Sequence, residues 1–293
     1  MKRISILFLI IFVSIAAYSQ NKNEYEFIGT LQLPNNEIIS YKLNFKELSS
    51  GKLEGFSLTD IYGSDRTKSV VVGNLNTSLQ KISFKETSNI STKSSSNEKD
   101  FCYVNVENAK MKTVRGKTII QGAFTGRFAD GKKCVNGFIY LVSTNYLEKL
   151  EKDFLNANKI KNADTLNMLK EKVSTLKDRA EKNILKSKET LNINWTSNEI
   201  ILEVWDGEQE DQDEIGIYIN DKKIVDQLTL KRQKKIIIVP LDEKVSVIKI
   251  TGINEGLSAP CTANILLKDG EVTTPIITVL KKGESTIVKI TKE

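Results

Sequence analysis

Between residues 25 and 143, apolar and polar residues alternate with a period of two in eight short runs: 27–33, 38–45, 53–58, 69–75, 81–85, 101–106, 118–128 and 135–142. Period two sends successive side chains to opposite faces, so each run reads as a strand with one face in a core. Asn35-Asn36, Ser50-Gly51, Tyr62-Gly63, Arg115-Gly116 and Asp130-Gly131 are turn dipeptides between runs. No helical pattern intervenes, which predicts an antiparallel meander over residues 20–145, closed into a barrel or folded into a sandwich to hide its edges. Glycines inside or beside the runs (Gly29, Gly55, Gly73, Gly122, Gly126 and Gly137) favour the barrel, where strands coil strongly. They also admit a second reading, a lipocalin-like barrel carrying a small apolar ligand. The polar stretch 88–99 is expected to be a mobile loop.

From residue 146 to 190 the pattern changes. Glycine and proline vanish, and Leu166, Leu169, Val173, Leu176, Ala180 and Ile184 recur at steps of three and four. An earlier stripe, Leu147, Leu150, Phe154 and Ala157, runs in another phase, so two helices are expected, as a hairpin or kinked in line. They form a spacer that packs on a neighbouring domain or, through the later stripe, pairs two copies as a coiled coil. Residues 191–293 return to strands: 199–205, 214–220, 235–241, 245–253, 262–267, 274–280 and 286–290. Seven strands in this length match an immunoglobulin-like β-sandwich. The fold class is therefore mainly β with a helical spacer.

The N-terminus carries an address. Lys2 and Arg3 precede the apolar stretch 6–17, and Ala17-Tyr18-Ser19 fits the small-x-small rule for cleavage before Gln20. Residues 1–19 thus read as a signal peptide, similar to those of Bacteroidota, and the mature chain as periplasmic or secreted without a transmembrane anchor. Removing Lys2 and Arg3 lowers the formal charge from +6 to +4. The densest basic run, residues 231–235, lies where a hairpin turn would present it to water. Without an aromatic platform it does not suggest nucleic acid. The chain has no histidine, which excludes Ser-His-Asp and Cys-His nucleophile pairs and histidine-ligated metals.

Six carboxylates crowd into nine residues: Asp206, Glu208, Glu210, Asp211, Asp213 and Glu214. Such a loop repels itself unless a cation, lysines or water relieve it. Calcium takes six to eight oxygens, and the expected ligands are Asp206, Asp211 and Asp213, completed by Asn254 and Glu255. A solvated acidic loop is the plainer alternative. The same carboxylates serve a hydrolase only if two oppose each other across a groove of roughly 5–10 Å.

Val204-Trp205-Asp206, Glu210-Asp211-Gln212-Asp213, Ile217-Tyr218-Ile219-Asn220 and the stretch 254–263 (Asn-Glu-Gly-Leu-Ser-Ala-Pro-Cys-Thr-Ala) resemble a β-sandwich domain of exported Bacteroidota proteins. The resemblance covers residues 199–290. Gln212 stands where that domain's acidic turn has glycine, and Cys261 where its later loop has asparagine. It implies a fold and an exported setting, and no activity.

Cys102 and Cys134 lie 32 positions apart in a chain expected to meet an oxidising compartment, which predicts a disulfide between them or else two buried thiols. Cys261 is left as a small buried side chain. Asp164-Thr165-Leu166 matches the pattern on which Bacteroidota attach O-glycans, here to Thr165, and serves equally as a helix start. Asn76, Asn89 and Asn194 stand in N-glycan sequons of form only. The reading that gathers these features is an exported, non-catalytic protein that binds an unknown envelope protein or glycan.

Overall fold

The computed structural model describes residues 24–156, 167, 182–207 and 210–293. The expected signal peptide, most of the expected helical stripe, Thr165 and Glu208 lie outside the described residues. Among those described, no helix is long and apolar enough to cross a membrane.

The first half is an antiparallel meander of β1 (Glu24–Gln32), β2 (Ile38–Glu47), β3 (Lys52–Thr59), β4 (Thr67–Asn76), β5 (Lys81–Thr92), β6 (Tyr103–Val114), β7 (Lys117–Arg127) and β8 (Lys133–Ser143). Each strand pairs with its successor, and β8 returns to β1, so the meander closes as a barrel. All eight expected runs are strands. The turns take the left-handed backbone that tight hairpins need, with Arg115 at φ 52° and Gly116 at φ 80° between β6 and β7.

Alternation dictates what fills the barrel. Sixteen apolar side chains, among them Phe27, Tyr41, Phe45, Ile82, Ile120 and Leu141, form one cluster in which none is more than 4% exposed. The strand glycines serve closeness between strands: a Cβ on Gly55 would come within 2.0 Å of the Asn44 carbonyl oxygen on β2.

Helix α1 (Thr144–Asn156) follows, tied at its start by the Thr144 hydroxyl donating to the Glu26 carbonyl at 3.3 Å. The expected helical segment does not extend to residue 190. Ile184, read as the end of the heptad stripe, lies in β9 (Asn183–Lys186), and β10 (Thr190–Trp195) follows at once. Asn183-Ile184-Leu185-Lys186 also alternates with period two. Parallel pairing with a distant strand, which buries Leu185 completely, decides between the two patterns.

The second half continues through β11 (Glu199–Trp205), β12 (Asp213–Ile219), β13 (Lys222–Thr229), β14 (Lys235–Pro240), β15 (Val245–Glu255), β16 (Cys261–Asp269), β17 (Val272–Leu280) and β18 (Ser285–Lys292). One layer runs β14-β11-β16-β17-β9. The other runs β13-β12-β15-β18-β10 and continues through β10 into barrel strand β5. A core of 23 buried residues, centred on Trp195, Ile217, Ile250 and Ile265, lies between the layers. β9 and β10, which the sequence reading missed, add to opposite layers in parallel with β17 and β18.

The stretch expected to be a mobile loop is the junction itself. Residues 88–92 complete β5, where Ser91 and Thr92 pair with Ile193 and Asn192. Asn192 Nδ2 donates to the Thr92 and Ser94 carbonyls at 3.4 and 3.2 Å, and Asn194 Nδ2 to the Asn89 carbonyl at 3.0 Å. A polar run can be buried when its backbone is laddered and its side chains are bonded to one another.

Candidate functional site

The disulfide forms, with Cys102 and Cys134 Cα atoms 6.1 Å apart. It crosses β7, joining the residue before β6 to the start of β8. Gly126 of β7 lies beneath it, where a Cβ would come within 2.3 Å of Cys102 Sγ. Cys261 is buried, and burial with the charges of Asp213 and Asp211 pushes its thiol up to about 12, which keeps it protonated and inert.

The acidic turn is put to structural use. Asp206, Asp211 and Asp213 are all buried. Asp211 Oδ2 accepts the Ser258 N–H at 2.9 Å, and Asp213 Oδ2 accepts the Thr262 N–H at 2.8 Å. Gly256 is required where that loop turns back, since its φ is +54° and a Cβ would meet the Asp211 carbonyl oxygen at 2.5 Å. Asn254 turns to Glu214, donating at 2.6 Å, and Glu255 accepts the Lys282 N–H at 3.0 Å. Among the described residues no group of three or more Asp, Glu or Cys is placed to hold a metal ion. Asp211 and Asp213 thus hold the backbone of the stretch 258–262, while Asn254 bonds to Glu214 and Glu255 to the turn before β18. Asp211→Ala is expected to lower stability by about 1–2 kcal/mol equally in calcium and in chelator. Melting curves in the two buffers check this, and a loss confined to calcium would assign the turn to the metal.

Two sequon asparagines are similarly occupied. Asn89 is buried and accepts the Ser69 hydroxyl at 3.1 Å, while Asn194 holds the junction. The basic run 231–235 is exposed in the turn before β14, as expected.

The recess that draws on both domains lies elsewhere. On the outer face of the barrel, pairing registers align Ile28, Lys42, Leu58 and Lys68 side by side on β1 to β4. Facing them are Asn183 on β9 and Thr273, Thr274 and Pro275 on β17, enclosing a cavity of about 300 Å³ that Phe56, Arg66 and Glu26 also line. A neighbouring cavity of about 250 Å³ shares Arg66 and adds Lys93, Lys182, Lys186 and Glu189.

Charge in this recess is lopsided. Lys42, nearly buried, pairs with Glu26 at 3.1 Å. The Lys68 ammonium lies 4.2 Å from the centre of the Phe56 ring. Arg66 is buried, and its Nη1 donates to the Ile61 carbonyl at 3.0 Å, fixing the loop before β4. Burial lowers the Arg66 guanidinium to about 10. Burial, then the Arg66 and Lys42 charges, lower the Lys68 ammonium from its ordinary value. Lys93 links the domains, donating to the Ile184 carbonyl at 3.0 Å and pairing with Glu189 at 2.8 Å.

Sequence reasoning did not find Lys42, Arg66 and Lys68. Their only signal is that the two lysines occupy outward positions of alternating strands, and register alone brings them to one place.

No protein-family model matches the chain, nor does any curated protein or solved structure.

Proposed function

We propose that this protein is an exported, non-catalytic binding protein of a bacterial envelope, with its ligand seated in the recess between the two β domains. The observation that carries the reading is a recess with walls from both domains, across a junction laddered by β5 and β10. Ligand sites favour such interdomain clefts, and a laddered junction keeps the walls in place before binding. The barrel interior is packed with side chains, which weighs against a carrier with its cargo inside. Export is supported by the N-terminal pattern and by a disulfide suited to an oxidising compartment.

The test is retention of envelope components by the mature chain and by Thr273→Trp, which places an indole in the recess from an exposed strand position. Components held by the wild type are expected to be lost from the variant. Equal retention by both would mean that binding uses another surface.

A further inference from the structure

We infer that β14 is the seam of a symmetric dimer, in which two copies of this chain pair their β14 strands antiparallel and join their sandwiches through one continuous sheet. The seam is independent of the recess, whose walls come from β1 to β4, β9 and β17. β14 ends its layer, with β11 as its one strand neighbour among the described residues. The Leu241 N–H donates to the Asn198 carbonyl at 2.8 Å. In the same register Lys235, Ile237 and Val239 spend their backbone groups on β11. Ile236 and Ile238 therefore turn theirs to the open side. Their side chains stand on the outer face of the layer, 57% and 59% exposed.

The other sheet ends are guarded. β13, which ends the facing layer, meets β12 through two register irregularities and carries Lys222, Lys223 and Asp226. At β9 the Lys93 ammonium, from the barrel half, covers the Ile184 carbonyl. Bulges, charges and covers of this kind keep edges from pairing. β14 runs against β11 for six pairs without a bulge, and its middle reads Ile-Ile-Ile-Val.

Charge selects a second copy as the occupant. Lys231 and Lys235 precede the exposed isoleucines, and Asp242 and Glu243 follow them, all four exposed. An antiparallel pair sets the basic end of each strand against the acidic end of the other, whereas a parallel pair sets like against like. With Ile236 opposite Ile238 of the second copy, a two-fold axis passes beside Ile237. That register allows about four backbone hydrogen bonds, as in strand addition generally. It also gathers the exposed isoleucines of both copies into one apolar strip and brings Lys231 toward Glu243 of the second copy. Pro240 has no N–H to offer on the open side, so the ladder ends there.

Sedimentation velocity of the mature chain, from micromolar to millimolar concentration, tests the seam. Interfaces of this small size are transient, so a concentration-dependent dimer is expected rather than a permanent one. Ile238→Lys should weaken dimerisation at least about tenfold while melting as the wild type does, because the residue is exposed in the single chain. Ile236→Pro, which deletes an N–H that the single chain leaves unused, should do the same. Ile38→Lys, at an exposed isoleucine of β2, should leave the dimer intact and so controls for lost apolar surface. Asp242→Lys combined with Glu243→Lys should weaken it about tenfold at low salt; unchanged dimerisation in that variant refutes the antiparallel arrangement. A chain that stays monomeric throughout, or that dimerises equally with Ile238→Lys and Ile236→Pro, overturns the inference. So does a dimer lost in Leu169→Lys and kept in Ile238→Lys, which would assign the pairing to the stripe that begins at Leu166.

Discussion

Replacing Cys102 and Cys134 together by alanine is expected to lower stability by roughly 3 to 4 kcal/mol, a drop of roughly 10 °C in melting temperature. The bridge closes a loop of 32 residues and so restricts the unfolded chain. It also spans β7, so it holds β6, β7 and β8 at one end of the barrel in a fixed order. Calorimetry on the two proteins measures the difference; equal melting temperatures would mean that the bridge adds no constraint. Gly126 supplies a second reading of the same feature. Gly126→Ala should cost more in the bridged protein than in the double alanine variant, because the added methyl meets the sulfurs only when both are present.

Glu86→Ala is expected to cost roughly 3 kcal/mol, through loss of hydrogen bonds to a charged acceptor and the space left behind. Glu86 sits on β5 among buried residues, 7% exposed. Its carboxylate accepts the Tyr41 hydroxyl at 2.9 Å, the Ser57 hydroxyl at 2.5 Å and the Val104 N–H at 2.7 Å. Burial raises its pKa above 4.5, and the three hydrogen bonds offset this only in part. In the window between the unfolded and folded values the folded chain holds a proton that the unfolded chain has released. Stability therefore falls as pH climbs from about 4.5 to the folded value and then levels off. Glu86→Gln keeps a carbonyl for Val104, and the two hydroxyls can turn to accept from its amide. That variant should be at least as stable as the wild type at pH 7 and should lose this part of the pH dependence. Denaturant titrations from acid to neutral pH compare the two, and parallel profiles would show that Glu86 does not titrate in this way.

The barrel was legible because its strands follow one another, and pairing between neighbours needs only local alternation and correct turns. Seven sandwich strands of the last hundred residues were legible from alternation alone, although most of them pair with strands that are not their neighbours in sequence. β9 was not, because its four residues continue a helical spacing, and a partner some ninety positions away decides their conformation. The end of β5 was hidden by composition: serine, threonine and asparagine suggest water until a second sheet arrives to bond them. The acidic turn was found, but nothing in Asp211 or Asp213 alone says that one oxygen of each accepts a backbone N–H from the stretch 258–262. The basic recess was out of reach because it depends on the registers of four strands and on two strands, β9 and β17, from the other half.

β10 illustrates what the junction with β5 protects. A strand flanked on one side only offers its open row of N–H and C=O groups to any other chain. In the intact molecule the barrel lies against that side of β10, at Asn192 and Ile193. A fragment starting near residue 182 would keep its core of 23 buried residues and yet carry this row uncovered. Dimers and fibrils seeded through β10 are the hazard of such a fragment, so the barrel acts as a built-in chaperone for the half that follows it.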